Sequence, residues 1–309
     1  MCVAPETIRR ASQARAKRHS SDHTPEATVR RGGSLVVAII MAVIGAITYF
    51  SSRSTNEVTG EVQHISIAPD QEVALGLQAF PEMAQEFGGE IDQPVINNYV
   101  EQVGQRIVAG SDAAKGPYKY DFHVLADPQT VNAFALPGGQ VSITVGLLRR
   151  LHNEAELAGV LGHEIGHVVA RHGAEQLSKQ QFAQTLVGAA TIASYDPNRP
   201  SSTAQNAAIA AAIGQLVTMR FGRQDELEAD ALGVRLMKEA NYDTRGMHDL
   251  LVILENLDQG GRPPEFFSTH PNPENRLARV DELIAQSGGA SGGDVGADRF
   301  QANVLKYMR

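Results

Sequence analysis

Leu161-Gly162-His163-Glu164-Ile165-Gly166-His167 lies inside a run, roughly Ala155 to His172, that reads as one continuous helix. At about 100° per residue, His163 and His167 fall one turn apart on the same face, so both imidazoles can reach one metal ion. Glu164 is close enough to touch a water held by that ion without being a ligand. Two ligands, a general base and an open position are the arrangement of a zinc peptidase. The bland alternative is a chance match, since two His and a Glu on a helix surface are not rare. The flanks oppose it. Leu157, Val160, Leu161, Ile165, Val168 and Val169 would bury most of the helix, and buried His and Glu need partners.

A chain of 309 residues can build one large domain or two ordinary ones. Its net charge of −8 hides an asymmetry. Residues 1–33 hold seven Lys/Arg against three acids, which leaves 20 basic and 32 acidic residues beyond them. The body is therefore acidic and a poor candidate for nucleic-acid binding. Cys2 is the only cysteine, so neither an internal disulfide nor a thiolate ligand for the metal is available.

Residues 1–33 are basic, polar and aperiodic, which predicts a disordered tail. Residues 34–50 then run for 17 positions without a charge, flanked by Arg31 and Arg53 and ending in Tyr49-Phe50. Length, flanks and interfacial aromatics predict a transmembrane signal-anchor. Cleavage as a signal peptide is the alternative. By the positive-inside rule the N-terminus stays in the cytoplasm and the rest of the chain is exported, in a bacterium to the periplasm. Residues 51–69 are expected as a linker, 70–286 as the catalytic domain and 287–309 as a flexible tail, in which Phe300 to Tyr307 either docks back on the body or stays loose. Within the domain, helical spacing covers about 70–87 and 93–109, and alternation predicts a strand over 118–126. Val131 to Val145 reads as a hairpin turning at Pro137-Gly138-Gly139, well placed to flank the cleft and offer an edge to an extended peptide. Merely capping the core is an equally good account of it. Residues 174–193 and 205–221 read as a helical hairpin joined by a Pro/Ser-rich loop, and this hairpin could form a lid. The fold class is α+β, mainly helical: a zincin-like metallopeptidase domain with a small β-hairpin or sheet beside the active-site helix, preceded by one transmembrane helix.

A third protein ligand is needed. Ala170 and Gly173 stand where a metzincin would have its Gly and its third His, which excludes that class. His172 points off the ligand face and reads as a helix-end residue. Arg223 opens a helix in which Glu226 and Asp230 are one turn apart. One of these carboxylates can bind the metal while the other accepts the far N–H of a ligating His. Glu228 lies out of phase with that ridge and should be solvated.

At this point the chain resembles the membrane-associated zinc metallopeptidases of the CAAX prenyl protease/HtpX family, and within it short bacterial periplasmic BepA-like members without helical repeats. The resemblance covers roughly residues 65–285. It rests on Asn132-Ala-Phe-Ala-Leu-Pro-Gly-Gly139, on His163 to His172, on Arg223 to Asp230, and on Ser268-Thr-His270-Pro271 followed by Arg276. It implies that Glu226 is the third ligand of one zinc ion per chain, that Asp230 and Arg223 support the ligands, and that His270 faces the substrate and assists catalysis beside Glu164. Asn132, Ala133, Phe134, Ala135, Gly138 and Gly139 would hold the substrate strand. The expected activity is endoproteolysis of misfolded or misassembled envelope proteins at the inner membrane. A zinc-stabilised chaperone or assembly factor with little proteolysis is the competing class.

Overall fold

The structure is a computed structural model that describes residues 26–193, 215, 219–259, 264–272, 275–288 and 292–308. The expected loop 194–204 and nearly all of the expected helix 205–221 lie outside these residues. The apolar run forms a helix, α1 (Glu26–Ser51), that starts earlier than the sequence suggested and carries Arg30 and Arg31 in the same helix. Ser34–Ser51 is long and apolar enough to cross a membrane.

The stretch expected as a linker is structured. β1 (Arg53–Thr55) and β2 (Val62–His64) pair antiparallel. Between and within them, the Asn56 and Gln63 side-chain amides donate to the carbonyls of Val169 and Ala170. Those carbonyls belong to the last turn of the metal-motif helix, where backbone acceptors have no intrahelical partner. Two polar side chains thus stitch the connection from the apolar helix onto the catalytic body.

α2 (Pro69–Glu86) and α3 (Pro94–Ala109) follow, each with Pro at its first position, where the missing N–H costs nothing. A three-stranded sheet comes next, in the order β3 (Asp121–Leu125), β5 (Gln140–Thr144), β4 (Ala133–Leu136); β3 runs parallel to β5 and β4 antiparallel to it. Gly138 takes φ +88° at the hairpin turn after Pro137, a conformation open to glycine. A short helix, α4 (Val145–Leu148), leads to α5 (Glu154–Val169), capped by the Asn153 side chain accepting from the Glu156 amide.

All sixteen residues of α5 are buried, so it is packed on every face, by α3, β4 and two later helices. Those helices are α7 (Arg223–Glu239) and α8 (Arg245–Gln259). Helix α5 does not continue to His172 as the periodicity implied. Arg171 takes φ +57° and breaks it, and a separate helix, α6 (His172–Ala193), starts at the next residue. The Arg171 guanidinium is fixed there by the buried Glu72 carboxylate and the Ile67 carbonyl. Gly173 therefore lies inside α6.

The chain closes with α9 (Phe266–Thr269), α10 (Arg276–Gln286) and α11 (Ala297–Asn303). The segment expected as a flexible tail is docked. Phe300 and Val304 are fully buried, and Arg299 pairs with Glu154 at the start of α5.

Candidate metal centre

Close approach of α5 to α7 creates the centre, and small residues make that approach possible. A Cβ on Gly166 would lie 2.9 Å from the Ala229 carbonyl oxygen, and one on Gly233 would lie 3.1 Å from the His163 amide nitrogen. With no side chains between them, the backbones bring Glu226 and Asp230 of α7 against His163 and His167 of α5. His163 Nε2 lies 3.1 Å from His167 Nε2, and these atoms are 3.6 and 3.5 Å from the two Glu226 oxygens. His270, just after α9, adds its Nδ1 at 3.1 Å from Glu226 Oε1 and 3.4 Å from His163 Nε2. One ligand atom from each of His163, His167, Glu226 and His270 lies within 4.8 Å of the others, and all four residues are buried.

The donor set fits a metal cation. Glu226 Oε2 and His270 Nε2 are buried without a hydrogen-bond partner, as are both oxygens of the adjacent Glu164. Buried carboxylate oxygens without hydrogen bonds are costly, and a divalent cation among them lowers that cost. Burial lowers the pKa of His163, lowers that of His167 far more with the neighbouring His163, His172 and His270 adding to it, and brings His270 down to about 4. Neutral imidazole is the form that binds a metal. Burial pushes Glu164 and Glu226 up to about 7.

Each imidazole of the motif has a partner on its far side. His163 Nδ1 lies 2.9 Å from Asp230 Oδ1, and Asp230 is clamped by Arg276 at 2.7 and 2.8 Å. Burial alone would raise the Asp230 carboxyl; the Arg276 charge, with hydrogen bonds from His163 and Arg276, outweighs it and holds the group well below the usual carboxylate range. Arg276 also sits 3.3 Å from Glu226 Oε2. On the other ligand, His167 Nδ1 faces His172 Nδ1 at 2.9 Å, and His172 Nε2 faces Glu228 Oε2 at 3.3 Å.

Three sequence expectations change here. Arg223 is exposed at the first position of α7 and is not brought to the cluster; Arg276 occupies the place against Asp230. Forty-six residues separate Arg276 from Asp230, so no spacing could have joined them. His172 is buried in the site rather than turned away, because the break at Arg171 swings it back over His167. Glu228 is half-buried beside it rather than solvated.

β4 is the outer strand of its sheet and lines a cleft with His270. Asn132, Phe134 and Ala135 face that cleft, and the Asn132 side-chain oxygen is buried without a partner. Ala133 is instead in the core, while Gly138 and Gly139 pack against Val73 and Lys119. These three do not reach the cleft.

A sequence model of Peptidase family M48 matches residues 94–284. The chain is 33% identical over 194 residues to the Beta-barrel assembly-enhancing protease of Escherichia coli (strain K12), an overlap of 61% of this chain and 39% of that protein. It is 32% identical over 234 residues to the Putative beta-barrel assembly-enhancing protease of Vibrio cholerae, covering 74% of this chain and 47% of that protein. With the Mitochondrial metalloendopeptidase OMA1 of Schizosaccharomyces pombe it shares 30% identity over 246 residues, 79% of this chain and 70% of the relative. The chain thus spans less than half the length of the two barrel-assembly relatives.

Proposed function

This chain belongs to peptidase family M48 and is a metalloprotease, and on that premise we propose that it is a zinc-dependent endopeptidase of the bacterial envelope. It would be tethered to the inner membrane by residues 34–50, with its catalytic body in the periplasm, and would act on misfolded or misassembled envelope proteins. The observation that carries the reading is the buried set of four donors within 4.8 Å, with the unbonded Glu164 carboxylate beside it.

His163, His167 and Glu226 would hold one Zn2+, a two-imidazole, one-carboxylate set suited to that ion. When bound, the ion would supply Lewis acidity, lowering the pKa of a water it holds and polarising a carbonyl. Asp230 accepts the Nδ1 hydrogen of His163 and so presents the Nε2 lone pair to the ion. Glu164 accepts a proton from the attacking water and delivers it to the departing amine. His270, whose Nε2 is unbonded and 3.7 Å from Glu164 Oε1, donates to the carbonyl oxygen as charge develops there. The substrate enters extended along the outer edge of β4, where Phe134 and Ala135 offer backbone groups and Asn132 offers a side chain.

Similarity to proteases named for β-barrel assembly supports envelope proteins as the substrate class. The test pairs two variants. Glu164→Gln should keep one zinc per chain and lose at least about 100-fold in peptidase activity; full activity with zinc bound overturns the mechanism. His270→Ala should also keep its zinc while losing activity, and loss of the metal would make His270 a fourth donor instead. Rescue of a deletion strain by Glu164→Gln would show that the cellular role is chaperone-like and does not require proteolysis.

A further inference from the structure

Helix α6 begins in the metal centre, at His172, and ends alongside α1. The two helices run antiparallel. Tyr49 and Phe182 stack with ring centroids 4.7 Å apart, and four residues back along α1, Gly45 packs on Thr185 so closely that a Cβ there would lie 2.7 Å from the Thr185 methyl. From Phe182 to the end of α6 at Ala193 the helix rises about 16 Å, roughly half of the ~30 Å hydrocarbon layer. After Lys179 the next charged residue is Asp196, so residues 180–195 carry no charge at all.

The exposed apolar side chains single out the same two helices. Of the fifteen exposed large hydrophobics among the described residues, nine lie on α1 and a tenth is Leu186 of α6. At the level where the helices leave the catalytic body, Tyr49, Phe50, Phe182 and His64 form an aromatic cluster, the composition found where helices cross a membrane–water boundary. Polar groups beyond it are accommodated. The Thr185 hydroxyl donates to the Gln181 carbonyl at 2.9 Å. Gln184, within one turn of Phe182, is near enough to the boundary for its amide to reach headgroups.

We propose that α6 beyond Gln181 is a second bilayer-embedded helix, packed on α1 with its outer face against lipid acyl chains. The inference rests on reading residues 34–50 as a membrane span. Its consequence is positional. Ten residues separate His172 from Phe182, so the metal centre stands about 15 Å above the membrane surface, in reach of polypeptide segments emerging from the bilayer.

Site-directed spin labelling of the full-length protein in phospholipid vesicles tests this, in a Cys2→Ser background that removes the one native thiol. Single cysteines are placed at Leu186 and Ala183 on α6, at Ile44 on α1 and at Lys179. Power saturation is then measured with oxygen, which partitions into lipid, and with a nickel chelate, which stays in water. Leu186 and Ile44 should both be several-fold more accessible to oxygen than to nickel, with the order reversed at Lys179 and Ala183 intermediate. A nickel-dominated signal at Leu186 with a lipid signal at Ile44 overturns the inference and leaves the span intact. Nickel-dominated signals at both positions overturn the span itself. Low accessibility to both reagents at Leu186 also overturns the inference, since protein and not lipid would then cover that face.

Discussion

His167 and His172 place their Nδ1 atoms 2.9 Å apart, and two ring nitrogens at that distance cannot both carry hydrogen. His167 must keep a lone pair on Nε2 to serve a metal, so its Nδ1 carries the hydrogen and donates to His172. His172 is thereby fixed with its hydrogen on Nε2, aimed at Glu228. The far-side partner of one ligand is a carboxylate, Asp230; that of the other is an imidazole backed by a carboxylate. Losing such a partner typically costs 10–100-fold in metal affinity. His172→Phe should therefore weaken zinc binding by about that factor in a chelator competition, with the far-UV spectrum of the metal-free protein unchanged. Equal affinity would show that His172 only packs against His167.

Arg276 is buried between two carboxylates, and removing it strands both. Arg276→Met should destabilise the fold by about 3–5 kcal/mol, the usual cost of breaking a buried pair from one side. Adding Asp230→Leu should recover part of that loss, because the unpaired carboxylate goes with it. Denaturant unfolding of the two singles and the double, closed as a cycle, measures the coupling. Strict additivity would show that the pair is energetically independent.

Gly166 donates nothing to a metal, yet its substitution should weaken metal binding. In Gly166→Ala the new methyl meets the Ala229 carbonyl and wedges α5 from α7. Overpacking of this kind costs about 1–3 kcal/mol, and it also carries Glu226 away from the histidine pair. Zinc affinity and thermal stability should fall together. A loss of stability with unchanged affinity would mean that α7 moves as a unit without opening the donor set.

Acid sensitivity should trace in part to Glu154. Burial raises its pKa, but hydrogen bonds from Arg299, Tyr99 and Tyr242 outweigh that and leave it below the ordinary value. Because the folded value is the lower one, the unfolded chain binds more protons as pH falls. The stabilisation is then fully present above the unfolded carboxylate pKa of about 4.3 and is lost as pH drops toward the folded value. Comparing wild type with Glu154→Gln, the gap in unfolding free energy should be widest near neutrality and shrink below about pH 4. A gap independent of pH would assign the effect to packing.

What the sequence revealed divides along the range of the interactions. His163 with His167 and Glu226 with Asp230 are local pairs, four residues apart on helices, and helical geometry alone puts each pair on one ridge. The sheet beside them was legible because alternation is also local. His172 was misread because helical periodicity runs through the break at Arg171, which a distant carboxylate, Glu72, holds in place. Arg276 could not be chosen over Arg223 by spacing, since what matters is which arginine the fold delivers to Asp230. Residues 51–69 lack periodicity, yet Asn56 and Gln63 dock that stretch by capping another helix. In the last segment Phe300 and Val304, four apart, pointed to docking, but Gly288 to Gly296 read as a linker and left the choice open.

The ties His163–Asp230 and Asp230–Arg276 close chain loops of 67 and 46 residues. The entropy of closing a flexible loop grows only with the logarithm of its length, about 0.6 kcal/mol for each doubling. The connection that follows α6 can therefore be lengthened at little thermodynamic cost while the buried ends stay put. Descendants of such a fold are free to vary that connection in length without renegotiating the chemistry underneath.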